Sequence, residues 1–235
     1  MYHLDIGNKN YSSWSLRPWV LMKALGIPFS EEMIPFHDSA AWTSYRKLAP
    51  NGLVPLLRDG DLMIWDSLAI AEYLAESHKG VWPADAKARA FARSAAAEMH
   101  SGFADLRDVC GMNVGIRVTL NAAGTQKIAK NVARLEALWT EGLALFGGPY
   151  LAGKDFSAVD AFFCPVAFRV QTFGIALSEA SRGYVQALLD HPAMREWYEA
   201  GLNEPFRDWP HEDEFAEWGT LTEDFRAPGI NPRPE

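Results

Sequence analysis

The 235 residues suffice for one large domain or two small ones, and a composition of 49% hydrophobic and 22% charged residues is ordinary for a soluble chain. A net charge of −8 argues against nucleic acid or an anionic membrane as the main partner. No apolar run reaches membrane-spanning length. The first ten residues include Asp5 and lack the long apolar core of a secretory signal, so a cytoplasmic protein is expected. Cys110 and Cys164 form no CxxC and suggest no disulfide framework; both read as packing residues.

In chain order, Tyr2 to Ile6 reads as a short strand and Gly7 to Ser13 as a polar loop. From Trp14, the apolar residues Leu16, Trp19, Val20, Met22 and Leu25 recur at helical spacing, and Gly26 and Pro28 end the pattern. Pro18 lies early enough to be tolerated. Phe29 to Ile34 reads as a second strand, and Ala40 to Leu48 as a short helix or irregular piece. Beyond a linker at Lys79 to Asp85, everything is expected to be helical. Phe91, Ala95, Met99, Phe103 and Leu106 form one stripe; Val132, Leu135, Trp139, Leu143 and Phe146 form another. Ser157 and Asp160 make a capping box before a helix that is apolar almost all round and that Pro165 is expected to kink. Two shorter helices follow, near Tyr184 to Leu189 and Ala193 to Gly201. After Leu202 the chain is rich in Pro and charge, with Trp209 and Trp218 as anchors onto the body.

The stretch from Asn51 to Ser67 carries more than a fold needs. Asn51-Gly52 is a turn signal, Val54-Pro55 opens the run Leu56-Leu57, and Asp59-Gly60 marks a hairpin to Leu62-Met63-Ile64-Trp65. Asp66-Ser67 precedes a helical pattern, with Ser67 as its N-cap. A cis Val54-Pro55 bond would leave the Val54 N–H and C=O as an unpaired strand edge, open to an extended peptide. Asp66 and Ser67 at the same end would offer a carboxylate and a hydroxyl to an ammonium and a carboxylate. A trans proline before an ordinary capped helix would use the same residues.

Val-Pro, a hairpin and acid-Ser before a helix resemble the glutathione site of the cytosolic glutathione transferases. The order β-α-β-α-β-β-α followed by helices, and Gly153 to Asp160 as the core-helix capping motif, extend that resemblance to about residue 200. It implies an α+β fold: a thioredoxin-like glutathione-binding domain at 1–78, an all-helical domain forming an electrophile pocket at 86–202, and a C-terminal tail at 203–235. It also implies glutathione as co-substrate, a homodimer, and attack of the glutathione thiol on a small electrophile in detoxification chemistry. Glutathione-dependent isomerase, peroxidase and non-catalytic glutathione binding are the alternatives. Val54 and Pro55 match the positions that pair with the cysteinyl backbone; Asp66 and Ser67 match those that hold the γ-glutamyl end.

In serine-type members of the family a serine in the loop after the first strand activates the thiol, ahead of a helix-borne Arg that Arg17 matches. Ser12 is the best positional match, Ser13 is next, and Tyr11 is a weaker candidate. A serine hydroxyl is no base near neutral pH, but it can donate a hydrogen bond to a sulfur anion, helped by the positive end of a helix. Either serine could instead simply cap that helix. The resemblance also points to His37 for the glycyl carboxylate and to Asp105 for the γ-glutamyl ammonium, often across the dimer. As plain loop and surface residues, these two would need no such role. Met99, Phe103, Arg107 and Phe168 are candidates to line the electrophile pocket. Ser12-Ser13-Trp14-Ser15 is similar to the zeta-class Ser-Ser-Cys-Ser, with Trp14 for the Cys and Thr172 where that class has an Arg, three residues after Arg169. No metal-ligand spacing or phosphate loop is present.

Overall fold

The computed structural model describes residues 1–231 and 233. The first part is β1 (Tyr2–Ile6), α1 (Ser13–Ala24), β2 (Phe29–Met33), α2 (Ser39–Leu48), β3 (Leu56–Asp59), β4 (Leu62–Trp65) and α3 (Ser67–Ser77). The strands form one sheet in the order β2-β1-β3-β4. β1 runs parallel to β2, as the α1 crossover requires, and antiparallel to β3; β3 and β4 form the hairpin, turning at Gly60 with φ +57°. This is the thioredoxin-like arrangement expected from the order of elements. Central β1 is covered on both faces, so Asp5 is buried along with Leu4 and Ile6, and Arg58 binds its carboxylate at 2.7 Å.

α1 is the joint of the molecule. Leu16, Trp19, Val20, Leu21 and Met22 are fully buried because the helix is covered by the sheet side and α3 on one flank and by helices of the second part on the other. Whatever stands at its N-terminus therefore stands at the seam between the two parts.

The second part comprises α4 (Ala86–Ser101), α5 (Ala104–Val109), β5 (Ile116–Leu120), α6 (Ala122–Phe146), α7 (Ala158–Phe173), α8 (Glu179–Asp190), α9 (Pro192–Leu202), α10 (Trp209–Glu212) and β6 (Gly219–Asp224). α7 is its buried centre and runs unbroken through Pro165. The capping box forms as the sequence suggests. Asp160 accepts from Ser157 N at 3.0 Å, and also from Leu151 N and the Tyr184 hydroxyl. Burial raises the Asp160 pKa to about 6.

Three expectations need correction. The stripe from Phe91 to Leu106 is not one helix: the chain breaks at Gly102 and left-handed Phe103, φ +56°, and α5 starts in a new direction. A Cβ on Gly102 would meet the Glu98 carbonyl oxygen at 2.7 Å, so glycine permits the break. The helical N-cap before α3 is Asp66, not Ser67; Asp66 accepts from Leu68 N at 2.8 Å and Ser67 is the first helical residue. Finally, the region past the linker is not wholly helical. Ile-Arg-Val-Thr-Leu of β5 pairs antiparallel with β6, from the segment expected to be a tail. That segment is fixed by buried charge. Arg207 makes a bidentate pair with Asp224 at 2.8 and 3.0 Å, and Arg226 meets Glu212 at 2.7 Å.

Candidate functional site

The loop from Gly7 to Ser12 is held from several sides. Its Asn8 side chain accepts from Phe36 N, and the Asn10 backbone and side chain receive Val114 N and Gly115 N. Glu204 binds Lys9 N and the Asn8 side chain, and the Trp197 indole donates to the Lys9 carbonyl at 2.7 Å. The loop delivers Ser12 and Ser13 to the start of α1, where both nearly buried residues line a cavity of about 510 Å³. No side chain caps α1, and the Trp14 and Ser15 N–H groups find no partner among the described residues. The positive end of the helix is thus open towards the cavity. Ser12 Oγ lies 2.7 Å from Ser15 Oγ, which in turn accepts Gly7 N at 3.0 Å. A hydroxyl hydrogen rotates to suit its partner, so Ser15 can donate to Ser12 and free the Ser12 proton for an anion in the cavity. The Ser13 hydroxyl is not engaged by any described residue.

Tyr11 is placed differently. Its hydroxyl donates to Glu212 Oε1 at 2.5 Å and receives Arg226 Nη1 at 2.7 Å and Asp208 N at 3.2 Å. Burial, then the neighbouring Glu212 carboxylate, pushes its pKa far above the ordinary phenol value. The ring lines the cavity, but the hydroxyl belongs to the C-terminal segment.

A second, smaller cavity of about 230 Å³ adjoins the first and is lined by Asn51, Leu53, Val54, Pro55, Asp66 and Ser67, with Trp14, Leu53 and Val54 common to both. The Val54-Pro55 bond is cis. β3 begins only at Leu56, and among the described residues the Val54 N–H and C=O have no partner. Asp66 adopts φ +20° with ψ 160°, a strained conformation L-residues rarely hold. It turns one carboxylate oxygen to Leu68 N and leaves the other 3.5 Å from His100 Nε2. Ser67 is buried, and its Oγ receives Arg17 Nη1 at 3.4 Å. Arg17 is fully enclosed, with its guanidinium 4.0 Å over the Trp14 ring. Burial, then nearby Arg169 and Arg107, lowers its pKa to about 9, which leaves it protonated at neutral pH. His100 receives Arg17 at Nδ1, 3.5 Å, and so carries its proton on the nitrogen facing Asp66. Burial, with help from Arg17 and Arg107, holds its pKa below the ordinary value against the pull of Asp66. The arrangement can take a peptide backbone along Val54, an ammonium at Asp66 and a carboxylate at Ser67 and the start of α3.

The larger cavity is walled by aromatic rings and charges. Tyr11, His211, Phe36 and Trp42 stack in series, with centroids 5.1, 4.8 and 5.5 Å apart. Arg107, Arg169 and Glu214 also line it. Met99, Phe103 and Phe168, named from sequence alongside Arg107, are buried in the core instead. The Thr172 hydroxyl donates to the Asn113 carbonyl. His37 lines neither cavity; its ring stacks on Phe206 with centroids 4.4 Å apart. Asp105 also lines neither in the single chain and sits where its charge is felt by Lys127 of α6. Sequence reasoning missed His100, His211 and Glu214. His100 lies within the α4 stripe region but off its apolar face, while the other two come from the segment taken for a tail. Elsewhere, His3, Asp5 and Glu32 gather at the sheet, but Arg58 already engages Asp5 and Glu32. No helix among the described residues is long and apolar enough to cross a membrane.

Known proteins share this architecture. Residues 11–77 match the family model described as glutathione S-transferase, N-terminal domain. Glutathione S-transferase GstB of Escherichia coli strain K12 is 30% identical over 211 residues, covering 82% of this chain and 96% of that protein. Glutathione S-transferase-like protein OpS6 of Beauveria bassiana is 25% identical over 192 residues, covering 76% and 88%. A crystal structure of a glutathione transferase homolog from Burkholderia gl BGR1, with bound glutathione, superposes with a TM-score of 0.63 at 21% identity, covering 85% of this chain and 97% of that one. With a thioredoxin-like sheet, a helical second part and a relative aligned over nearly its whole length, the chain belongs to the glutathione S-transferase family.

Proposed function

We propose that the protein binds glutathione in the smaller cavity and activates its thiol in the larger one, for attack on a small electrophile. The observation that carries this reading is the convergence of the unpaired Val54 edge, Asp66, Ser67 and the uncapped start of α1 on adjoining cavities. In this reading the cysteinyl backbone pairs with Val54 beside Pro55 as an added strand. Asp66 takes the γ-glutamyl ammonium, and Ser67 with the α3 N-terminus takes its carboxylate. The sulfur then lies against the Ser12 and Ser13 end of α1. Ser12 donates a hydrogen bond to the thiolate, backed by Ser15 and the Gly7 N–H. The thiolate forms the new C–S bond, and the electron pair leaves with the leaving group or is protonated on the acceptor. Residues 1–78 carry the peptide, 86–202 supply the electrophile pocket, and His211 and Glu214 of the C-terminal segment close it. His37 serves the glycyl carboxylate only if the C-terminal segment lets its ring leave Phe206. Asp105 serves the γ-glutamyl ammonium of a neighbouring subunit in a cytoplasmic homodimer. Binding calorimetry with glutathione tests the reading: heat of binding is expected at millimolar ligand, and its absence from folded protein refutes it. A single monomeric species by light scattering refutes the dimer.

A further inference from the structure

Arg169 stands in the C-terminal half of α7, 5% exposed, on the wall of the larger cavity. Its Nε is sealed from solvent without a partner, and among the described residues its guanidinium makes no hydrogen bond or ion pair. A buried cation left in this state is costly, and proteins keep such groups where something else satisfies them. Its neighbours do not. Arg107 is a second cation, spending Nη1 on the Met99 and His100 carbonyl oxygens at 3.4 and 3.1 Å, neither of which cancels charge. Cys110 is a buried thiol whose pKa burial raises to about 12, so it stays neutral. Glu214 is the acid within electrical reach, yet it is no ion-pair partner of Arg169. Its partner is His211, at 3.8 Å, and burial raises its own pKa. The cavity therefore carries two guanidinium groups, Arg169 and Arg107, that form no ion pair among the described residues, on the same lining as the aromatic rings of Phe36 and Trp42.

We infer, resting on the glutathione reading above, that the second substrate is an electrophile carrying a carboxylate, which Arg169 binds while the planar body of the molecule lies on the aromatic wall and its reactive carbon faces the sulfur. Arg suits this task because its planar fork matches a carboxylate in two parallel hydrogen bonds. With 4-chloro-3-nitrobenzoate as probe, the thiolate attacks the ring carbon bearing chlorine. A C–S bond forms, the C–Cl bond breaks, chloride leaves with the electron pair, and the thiol proton has gone to solvent.

The test compares 4-chloro-3-nitrobenzoate with its methyl ester, each corrected for its uncatalysed rate with glutathione. The ratio of kcat/KM, acid over ester, is expected to fall about ten- to a hundredfold in Arg169→Gln, chiefly through KM, with Arg169→Lys between the two. An Arg169→Gln ratio within about threefold of the unchanged protein overturns the inference. So does a shift in the thiolate absorbance of bound glutathione in Arg169→Gln with no acceptor present, since the cation would then act on the sulfur. A measurement on the unchanged protein stands apart from any folding defect. Calorimetry should show 3-nitrobenzoate binding at least about tenfold more tightly than methyl 3-nitrobenzoate, and equal or tighter binding of the ester overturns the inference. These last titrations need no glutathione, so a failure of glutathione to bind sinks the reading beneath while leaving the carboxylate site to its own result.

Discussion

Tyr11→Phe removes one hydroxyl that three buried groups share, and its cost can be worked from those partners. Asp208 N–H loses its acceptor and has no substitute, at about 1–3 kcal/mol for an unsatisfied buried donor. Arg226 Nη1 and Glu212 Oε1 each lose a charge-assisted bond but keep one another at 2.7 Å, so no buried charge is stranded. The sum should lie near 2–3 kcal/mol rather than the larger cost of breaking a buried ion pair. For a chain of this size that is a fall in Tm of about 4–12 °C. Differential scanning calorimetry reads this directly, with urea unfolding as a check. The same variant should leave the thiolate absorbance of bound glutathione in place, because the phenol serves the C-terminal segment and not the sulfur. Unchanged Tm together with loss of the thiolate band would refute the reasoning and make Tyr11 the activating hydroxyl.

Glu212→Ala strands Arg226, whose side chain is 1% exposed, and deprives Asn113 of its acceptor, so it should cost about 3–5 kcal/mol by urea unfolding; a neutral result would show that Asp224 and solvent suffice. Ser67→Ala should weaken glutathione binding about ten- to a hundredfold by calorimetry while leaving the acidity of the bound thiol nearly unchanged; the opposite pattern would remove Ser67 from the anchoring end. His100 has a folded pKa below its ordinary 6.5, so the unfolded chain takes up its proton first. The stability from the neutral ring is present above that pH and is lost as pH falls through it towards the folded value. Unfolding midpoints of His100→Gln should therefore fall less than those of the unchanged protein as pH drops below about 6.5, and parallel curves would contradict this.

Local signals reached furthest. Each strand of the first sheet, the Asp59-Gly60 hairpin and the Ser157 to Asp160 capping box could be read because residues a few positions apart set their geometry. The N-cap of α3 was displaced by one residue because capping depends on a backbone angle, here φ +20° at Asp66, that residue types alone do not reveal. The break at Phe103 was hidden by a stripe that stays buried across the bend. β5 and β6 were missed for another reason. Ile116 to Leu120 carries the alternation of a strand, but its partner lies about a hundred residues away, and β6 is largely exposed and polar. A still longer separation, 201 and 215 residues, concealed the Tyr11 hydroxyl's commitment to Glu212 and Arg226, and distance along the chain likewise hid the placing of His211 and Glu214 on the cavity wall. Ser12, Ser13, Val54, Pro55, Asp66 and Ser67 could be named from short motifs, whereas the isolation of Arg169 exists only once its surroundings are assembled.

The acidity of the bound thiol tests the central claim most directly. With the protein saturated in glutathione, ultraviolet thiolate absorbance is titrated against pH for the unchanged protein, Ser12→Ala and Ser13→Ala. The free thiol ionises near pH 8.5; a hydroxyl donor worth about 1.5–3 kcal/mol, aided by the helix end, should bring it to about 7 or below. Ser12→Ala should raise it again by about one to two units with affinity nearly unchanged, and Ser13→Ala should move it less. If saturated protein shows no thiolate near neutral pH, or if neither serine shifts the titration, the Ser12 end of α1 does not activate the thiol.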